Sequence, residues 1–348
     1  MTTRKLYQWV KQTSKSWTDF TAYFQENVTV FSRGVVLSQS SHIRKIASAV
    51  SGRPDSQRRR LQRFVKQDHD MNRYFSHWTK SIVNTLRLKD VVLIIDETKL
   101  KARFGVMVVA LAIEGRSIPL AWRIYHANDA TAYPAEGQVQ MILTLLKAIQ
   151  GGLPPTCSVR VLADRGIGTS PDLMKGIMAL NWYFLFRVTK QSKVTLANGE
   201  CLAFYDQVKQ IGEIYEASGT VFKKRGRIPA HVRVLWGAKA QEPWALVTND
   251  PRLTGWEYAQ RNWIEQAFRD LKSYGWQLES NEFRCPQRLE RFWILLVVAY
   301  AWMILWGLYI QHTVRTIALK KAKDGHYTKR WSLFREGRMA FLAATHPT

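Results

Sequence analysis

Cysteine is scarce in this chain and poorly placed for cross-linking. Cys157, Cys201 and Cys285 are odd in number, far apart and in no CxxC pair, which argues against a disulfide framework and a cysteine zinc site and fits a reducing cytoplasm. Acidic residues are also few: 27 Asp and Glu face 51 Lys and Arg, a formal net charge of +24. That excess goes beyond what solubility requires and suits a polyanion such as nucleic acid, with a solvated surface or a basic patch facing anionic lipid as the plainer alternatives. The opening stretch MTTRKLYQWVKQTSKSW is polar and aromatic, without the basic, apolar and small-residue succession of a secretory signal. Neither an internal repeat nor a low-complexity tract interrupts the sequence.

Long apolar runs are missing except for one. Phe292 to Ile310, FWILLVVAYAWMILWGLYI, is uncharged and long enough to cross a bilayer. It directly follows Arg288, Glu290 and Arg291 and carries the polar-tipped aromatics Trp293, Tyr300, Trp302, Trp306 and Tyr309. A buried core helix, apolar all round, is therefore expected in preference to a membrane span.

What is present is ample for a folded protein: 348 residues, 46% of them hydrophobic, can supply a sizeable core. Residues 1–88 read as a helical domain, with helices over Phe20–Val30, His42–Val50 and Arg58–Val65 separated by breakers such as Ser51-Gly52-Arg53-Pro54. Arg58, Arg59, Arg60, Arg63 and Lys66 are spaced to line one side of the third helix, either as a solvated face or as a DNA contact.

From Lys89 the pattern changes to strands: VVLIID (91–96), FGVMVVALAIEG (104–115) and SIPLAWRIYH (117–126). A helix over Tyr133–Gln150, a strand VRVLAD (159–164), a helix over Asp172–Leu180 and a strand WYFLFRV (182–188) follow. This alternation predicts an α/β core whose first part spans 89–190. Residues 191–255 read as a β-rich insertion with strands near Arg233–Trp236 and Trp244–Thr248 and a basic tip at Lys223, Lys224 and Arg225. The core resumes over 256–313, and 314–348 forms a basic tail.

Asp96 and Asp164 each close an apolar strand, where sites gather in open α/β sheets. Neighbouring strands would oppose the two carboxylates and invite a divalent cation with oxygen ligands. Taken singly, each is equally an Asp capping a turn or helix. More specific is YAQRNWIEQAFRDLK, in which Tyr258, Arg261, Glu265 and Lys272 stand at relative positions 0, 3, 7 and 14. On an α-helix these fall within an arc of about 60° and extend roughly 21 Å, enough to follow several phosphates. A solvated stripe with an ordinary Arg–Glu pair is the plainer alternative.

The pattern Y-(2)-R-(3)-E-(6)-K, preceded by IIDET and LADRG, resembles the Y-R-E-K group of DDE transposases of bacterial insertion sequences, the IS-four family. The resemblance runs from about residue 90 to 300. It implies an RNase H-like catalytic core with a β-rich insertion, beside a helical N-terminal DNA-binding domain. Asp96, Asp164 and Glu265 would then be catalytic and hold two Mg²⁺ ions, with Mn²⁺ able to substitute. Tyr258, Arg261 and Lys272 would contact phosphates near the cut. Trp244, in EPWALVTND, would stack on a base flipped from the element end, although a core aromatic fits that strand equally well. Further DNA contacts are expected from Arg58, Arg59, Arg63, Lys223, Lys224 and Arg225.

The implied partners are double-stranded DNA, as terminal inverted repeats and target, and a second copy of the chain in a synaptic dimer. No membrane is involved, and the expected location is the bacterial cytoplasm, at the nucleoid. The implied activity is cleavage at element ends and strand transfer, by cut-and-paste with a hairpin intermediate. A related nuclease that does not join ends, or a binding protein of the same descent with an inactive site, shares most of these features.

Overall fold

Apolar β-branched runs and amphipathic helices divide this chain into a mixed α/β architecture around one large sheet. The computed structural model describes residues 12–13, 16–127, 133–223, 226–238, 240–313, 319–321, 327–329 and 331–345. Two units result, neither continuous in sequence. One comprises Trp78–Lys99 and Gly105–Ile264, the other Met1–His77, Leu100–Phe104 and Glu265–Thr348.

The first unit holds the sheet. Its strands are β1 (Asp90–Leu100), β2 (Phe104–Ile113), β3 (Arg116–His126), β4 (Ser158–Ala163), β5 (Tyr183–Arg187), β6 (Lys193–Thr195), β7 (Cys201–Ala203), β8 (Ile214–Val221), β9 (Ile228–Leu235) and β10 (Trp244–Thr248). They lie in the order β3-β2-β1-β4-β5-β10-β9-β8-β6-β7. The central strands β1, β4 and β5 are parallel, and β10 returns antiparallel to β5. Near-continuous burial along β2 is what a strand covered on both faces requires. Two helices of this unit, Gly137–Gln150 and Pro171–Ala179, pack against each other, the first also against β3 and the second against β5.

One expectation changes here. The strand carrying VVLIID does not end at Asp96: β1 continues to Leu100, and only its pairing with β4 stops, at Ile95↔Ala163. The β-rich segment after residue 190 builds no sheet of its own. Its five strands extend the core sheet beyond β5, because β10 pairs with β5 over Thr248↔Leu185 to Leu246↔Arg187. Short β6 and β7 and the alternately exposed β8 lack the apolar runs that would mark them in the sequence.

In the second unit, α1 (Ala22–Ser38) starts at Thr21, whose hydroxyl accepts from the Phe24 amide at 3.2 Å. The α2 (Ile43–Ser48) and α3 (Pro54–Lys66) segments follow, α3 opening on a proline at its first turn. Trp17, Phe20, Phe24 and Tyr74 form an aromatic cluster, with Trp17 edge-on to Tyr74 at 5.4 Å and Phe20 stacked on Phe24 at 4.5 Å.

The apolar run lies in the helix Pro286–Thr313, the one described helix long and apolar enough to cross a membrane. It packs against α1, α3 and the helix Leu333–Thr345, and Phe292 to Ile304 are all buried. Protein contacts thus account for its hydrophobicity. Its contact with Leu333–Thr345 is close enough to need glycine on both sides, since a Cβ at Gly307 would meet the Leu333 carbonyl and one at Gly337 the Met303 carbonyl.

Candidate active site

Strand register creates the centre of the site. Ile95 is paired with Ala163 across the parallel β1–β4 ladder, so the next residues, Asp96 and Asp164, emerge together at one sheet end. Between them stands Arg261. One of its terminal guanidinium nitrogens is 3.0 Å from Asp96 Oδ2 and 3.4 Å from Asp164 Oδ2. The other oxygens have local work: Asp96 Oδ1 accepts from the Glu97 amide at 2.9 Å, and Asp164 Oδ1 accepts from the Ile167 amide at 3.1 Å. Asp164 therefore caps the short helix Arg165–Gly168 and still offers an oxygen to the site. Glu97 belongs elsewhere, since strand alternation turns it to the opposite face, where Gln138 approaches it at 3.4 Å.

Two carboxylate oxygens converging on one cationic nitrogen make a cation site by chemistry, with the guanidinium as the present cation. The donor set suits a hard divalent ion. Among the described residues no three His, Cys, Asp or Glu gather as a metal group. Asp96 and Asp164 are brought together, whereas Glu265 is exposed and belongs to the other unit.

The single α-helical stripe from Tyr258 to Lys272 is corrected. The segment is a 3₁₀ helix over Trp256–Asn262, an α-helix over Trp263–Arg269 and a π-helix over Asp270–Tyr274. Residues three apart eclipse in a 3₁₀ helix, which keeps Tyr258 and Arg261 on one side. The wider π turn carries Lys272 off the line that α-helical spacing draws, and its ammonium lies over the Phe268 ring, 5.9 Å from the centroid. Nor is the stripe a uniformly exposed edge, because Tyr258 is buried. Burial pushes its phenol above the ordinary tyrosine range, against the opposing pull of Arg261.

Trp244, half-buried at the start of β10, meets Tyr258 edge-on at 5.3 Å and Trp256 at 6.4 Å. It lines a cleft of about 850 Å³ together with Asp164, Tyr258 and Arg261. Arg165, Arg187, Lys190 and Glu242 border the same cleft, and none was singled out from the sequence. Arg165 stood in view directly after Asp164. Arg187 ends the apolar strand β5, and Lys190 and Glu242 are ordinary loop residues until the sheet gathers them.

On α3 the basic residues separate. Arg59, Arg63 and Lys66 are exposed, at spacings of four and three that keep them on one face. Arg58 pairs with Asp55 at 3.3 Å, and Arg60 is drawn inward by Glu26 at 3.1 Å and Asn27 at 2.8 Å. At the insertion tip Lys223 is exposed, while Lys224 and Arg225 lie outside the described residues.

Residues 87–302, more than half of the chain, match a family model described as Transposase DDE domain. No curated protein matches the chain.

Proposed function

The chain belongs to the DDE transposase family, and on that premise we propose that it is an insertion-sequence transposase of the Y-R-E-K, IS-four kind, built on an RNase H-like core. Family membership carries DNA as the partner and divalent metal as the general requirement. The observation that supports the finer reading is the shared guanidinium: Arg261 sits between Asp96 and Asp164, where the β1–β4 pairing ends and a catalytic cation would belong.

Asp96 and Asp164, joined by Glu265, would hold Mg²⁺, with Mn²⁺ as substitute. Such an ion supplies an activated oxygen nucleophile and stabilises the charge on the leaving oxygen. In the first step a water oxygen bonds to the phosphorus at the element end and the P–O3′ bond breaks, freeing a 3′-hydroxyl. In the second, that hydroxyl bonds to another phosphorus and displaces its 3′-oxygen, so hydrolysis and joining share one chemistry. In the cut-and-paste version the second phosphorus is on the opposite strand and a hairpin results.

Within the chain, Arg261 passes from the aspartates to a phosphate oxygen, and Tyr258 supports it from beneath Trp244. Trp244 offers its indole face to an unpaired base, and Lys272 pairs with the backbone farther along. Helices of residues 1–88, with exposed Arg59 and Arg63 and neighbouring Arg58, and the 191–255 insertion, with Lys223 to Arg225, grip the terminal repeats. Cleaving two ends together calls for a dimer, working at the nucleoid in the cytoplasm.

A plasmid excision assay in Mg²⁺ with Asp96→Asn, Asp164→Asn and Glu265→Gln tests this. Each is expected to abolish cleavage while keeping DNA binding, and full cleavage by any one would overturn the assignment. Precut ends that fail to join to target DNA under conditions that support cleavage would instead identify a nuclease.

A further inference from the structure

Glu242, in the turn between β9 and β10, carries more positive charge than one carboxylate can balance. Its Oε1 is 2.6 Å from an Arg187 nitrogen and 3.2 Å from an Arg165 nitrogen, and its Oε2 is 2.8 Å from Lys190 Nζ. The hydrogen bond from Lys190, with Arg187 and Arg165 close by, holds the carboxyl below the usual glutamate range, so it is ionised at neutral pH. Three cations thus share the one carboxylate of Glu242, while the neighbouring Asp164 is engaged by Arg261.

The cluster is built by the sheet. The last β4–β5 pair, Ala163↔Phe186, sets Arg187 beside Asp164, and Arg165 follows Asp164 directly. Lys190 lies three residues past the end of β5. Tyr205 backs both neighbours, with its hydroxyl 3.5 Å from an Arg187 nitrogen and its ring 5.3 Å below Lys190 Nζ. Arg187 is 18% exposed, and its Nε finds no acceptor among the described residues. Arg165 and Lys190 remain about half exposed to the cleft that also contains Trp244 and Arg261.

Glu242 is 30% exposed, and one forked arginine can occupy both oxygens of a carboxylate, so three cations are more than this one anion requires. The pattern is that of an anion site occupied by an internal anion. Forked guanidinium groups and an ammonium match the two non-bridging oxygens of a phosphodiester.

We propose that Arg165, Arg187 and Lys190 form a seat for one backbone phosphate of the DNA strand entering the cleft, and that Glu242 holds this seat until DNA displaces it. The proposal rests on the transposase reading for the identity of the polyanion. Displaced Glu242 remains nearby as a like charge, so it lowers affinity for every DNA sequence alike.

The test is fluorescence anisotropy of a short random-sequence DNA duplex, in chelator, over a series of salt concentrations. Neutralising Glu242 frees the seat for one more phosphate contact. Glu242→Gln is therefore expected to steepen the log K against log salt slope by about 0.9 and to tighten binding about eightfold at 0.1 M salt relative to 1 M. In an Arg165→Ala/Lys190→Ala background, which leaves only the largely buried Arg187 of the seat, the same change is expected to give less than half of that gain.

Equal or weaker binding by Glu242→Gln, with a melting temperature near that of the wild type, overturns the seat. Undiminished tightening in the double-alanine background also overturns it, because net charge alone then explains the gain. Failure of the wild type to cleave element DNA is a separate result. It would remove the transposase reading without touching the binding comparison.

Discussion

Replacing Arg261 by alanine removes the guanidinium that Asp96 and Asp164 share at 3.0 and 3.4 Å. Arg261 and Asp96 side chains are 13% and 10% exposed, so this contact is close to a buried pair. Breaking a buried pair by deleting one partner costs about 3–5 kcal/mol. Asp164 is 37% exposed, and solvent screens its share. About 2–4 kcal/mol remains, mostly through Asp96, which at about 2–4 °C per kcal/mol becomes a fall of roughly 4–16 °C in melting temperature. The assay is a thermal melt in chelator, repeated with Mn²⁺. The variant is expected to melt lower in chelator and to regain more from Mn²⁺ than the wild type does, because the ion takes a position the guanidinium no longer contests. Arg261→Lys, which keeps a charge without the fork, is expected to fall between. An unchanged melt in chelator, or equal gains from Mn²⁺ in wild type and variant, would refute the claim that Arg261 stands in for a catalytic cation.

Two more outcomes follow from the same geometry. Replacing Arg59, Arg63 and Lys66 together by alanine is expected to reduce the salt slope of DNA binding by about 2.7, one counterion per exposed cation, with little change in melting temperature. An unaltered slope would return this face to plain solvation. Trp244→Ala is expected to weaken binding of a DNA end with an unpaired base by about 1–3 kcal/mol relative to fully paired DNA, and Trp244→Phe to restore most of it. Equal losses on both DNAs would make Trp244 only the packing partner of Tyr258 and Trp256.

The sequence alone determined the elements with strong local signals. Buried runs such as VVLIID and VRVLAD form strands wherever they lie, and Phe292–Ile310 has no polar face to give to water, so both were legible without coordinates. The spacing of Tyr258, Arg261, Glu265 and Lys272, which suggested the resemblance, was legible for the same reason, since it is written along one stretch of chain. Tertiary structure decided what depends on partners remote in sequence. The register Ile95↔Ala163 makes neighbours of two aspartates 68 positions apart, and no local pattern contains that pairing. Helical winding was also a tertiary outcome: backbone energies of 3₁₀, α and π turns are close enough for packing around Tyr258 and Leu271 to choose among them. The phosphate seat was least legible of all. Arg165, Lys190 and Glu242 come from three connections around the sheet and Arg187 from the end of β5, and only their shared geometry turns four unremarkable charges into a site.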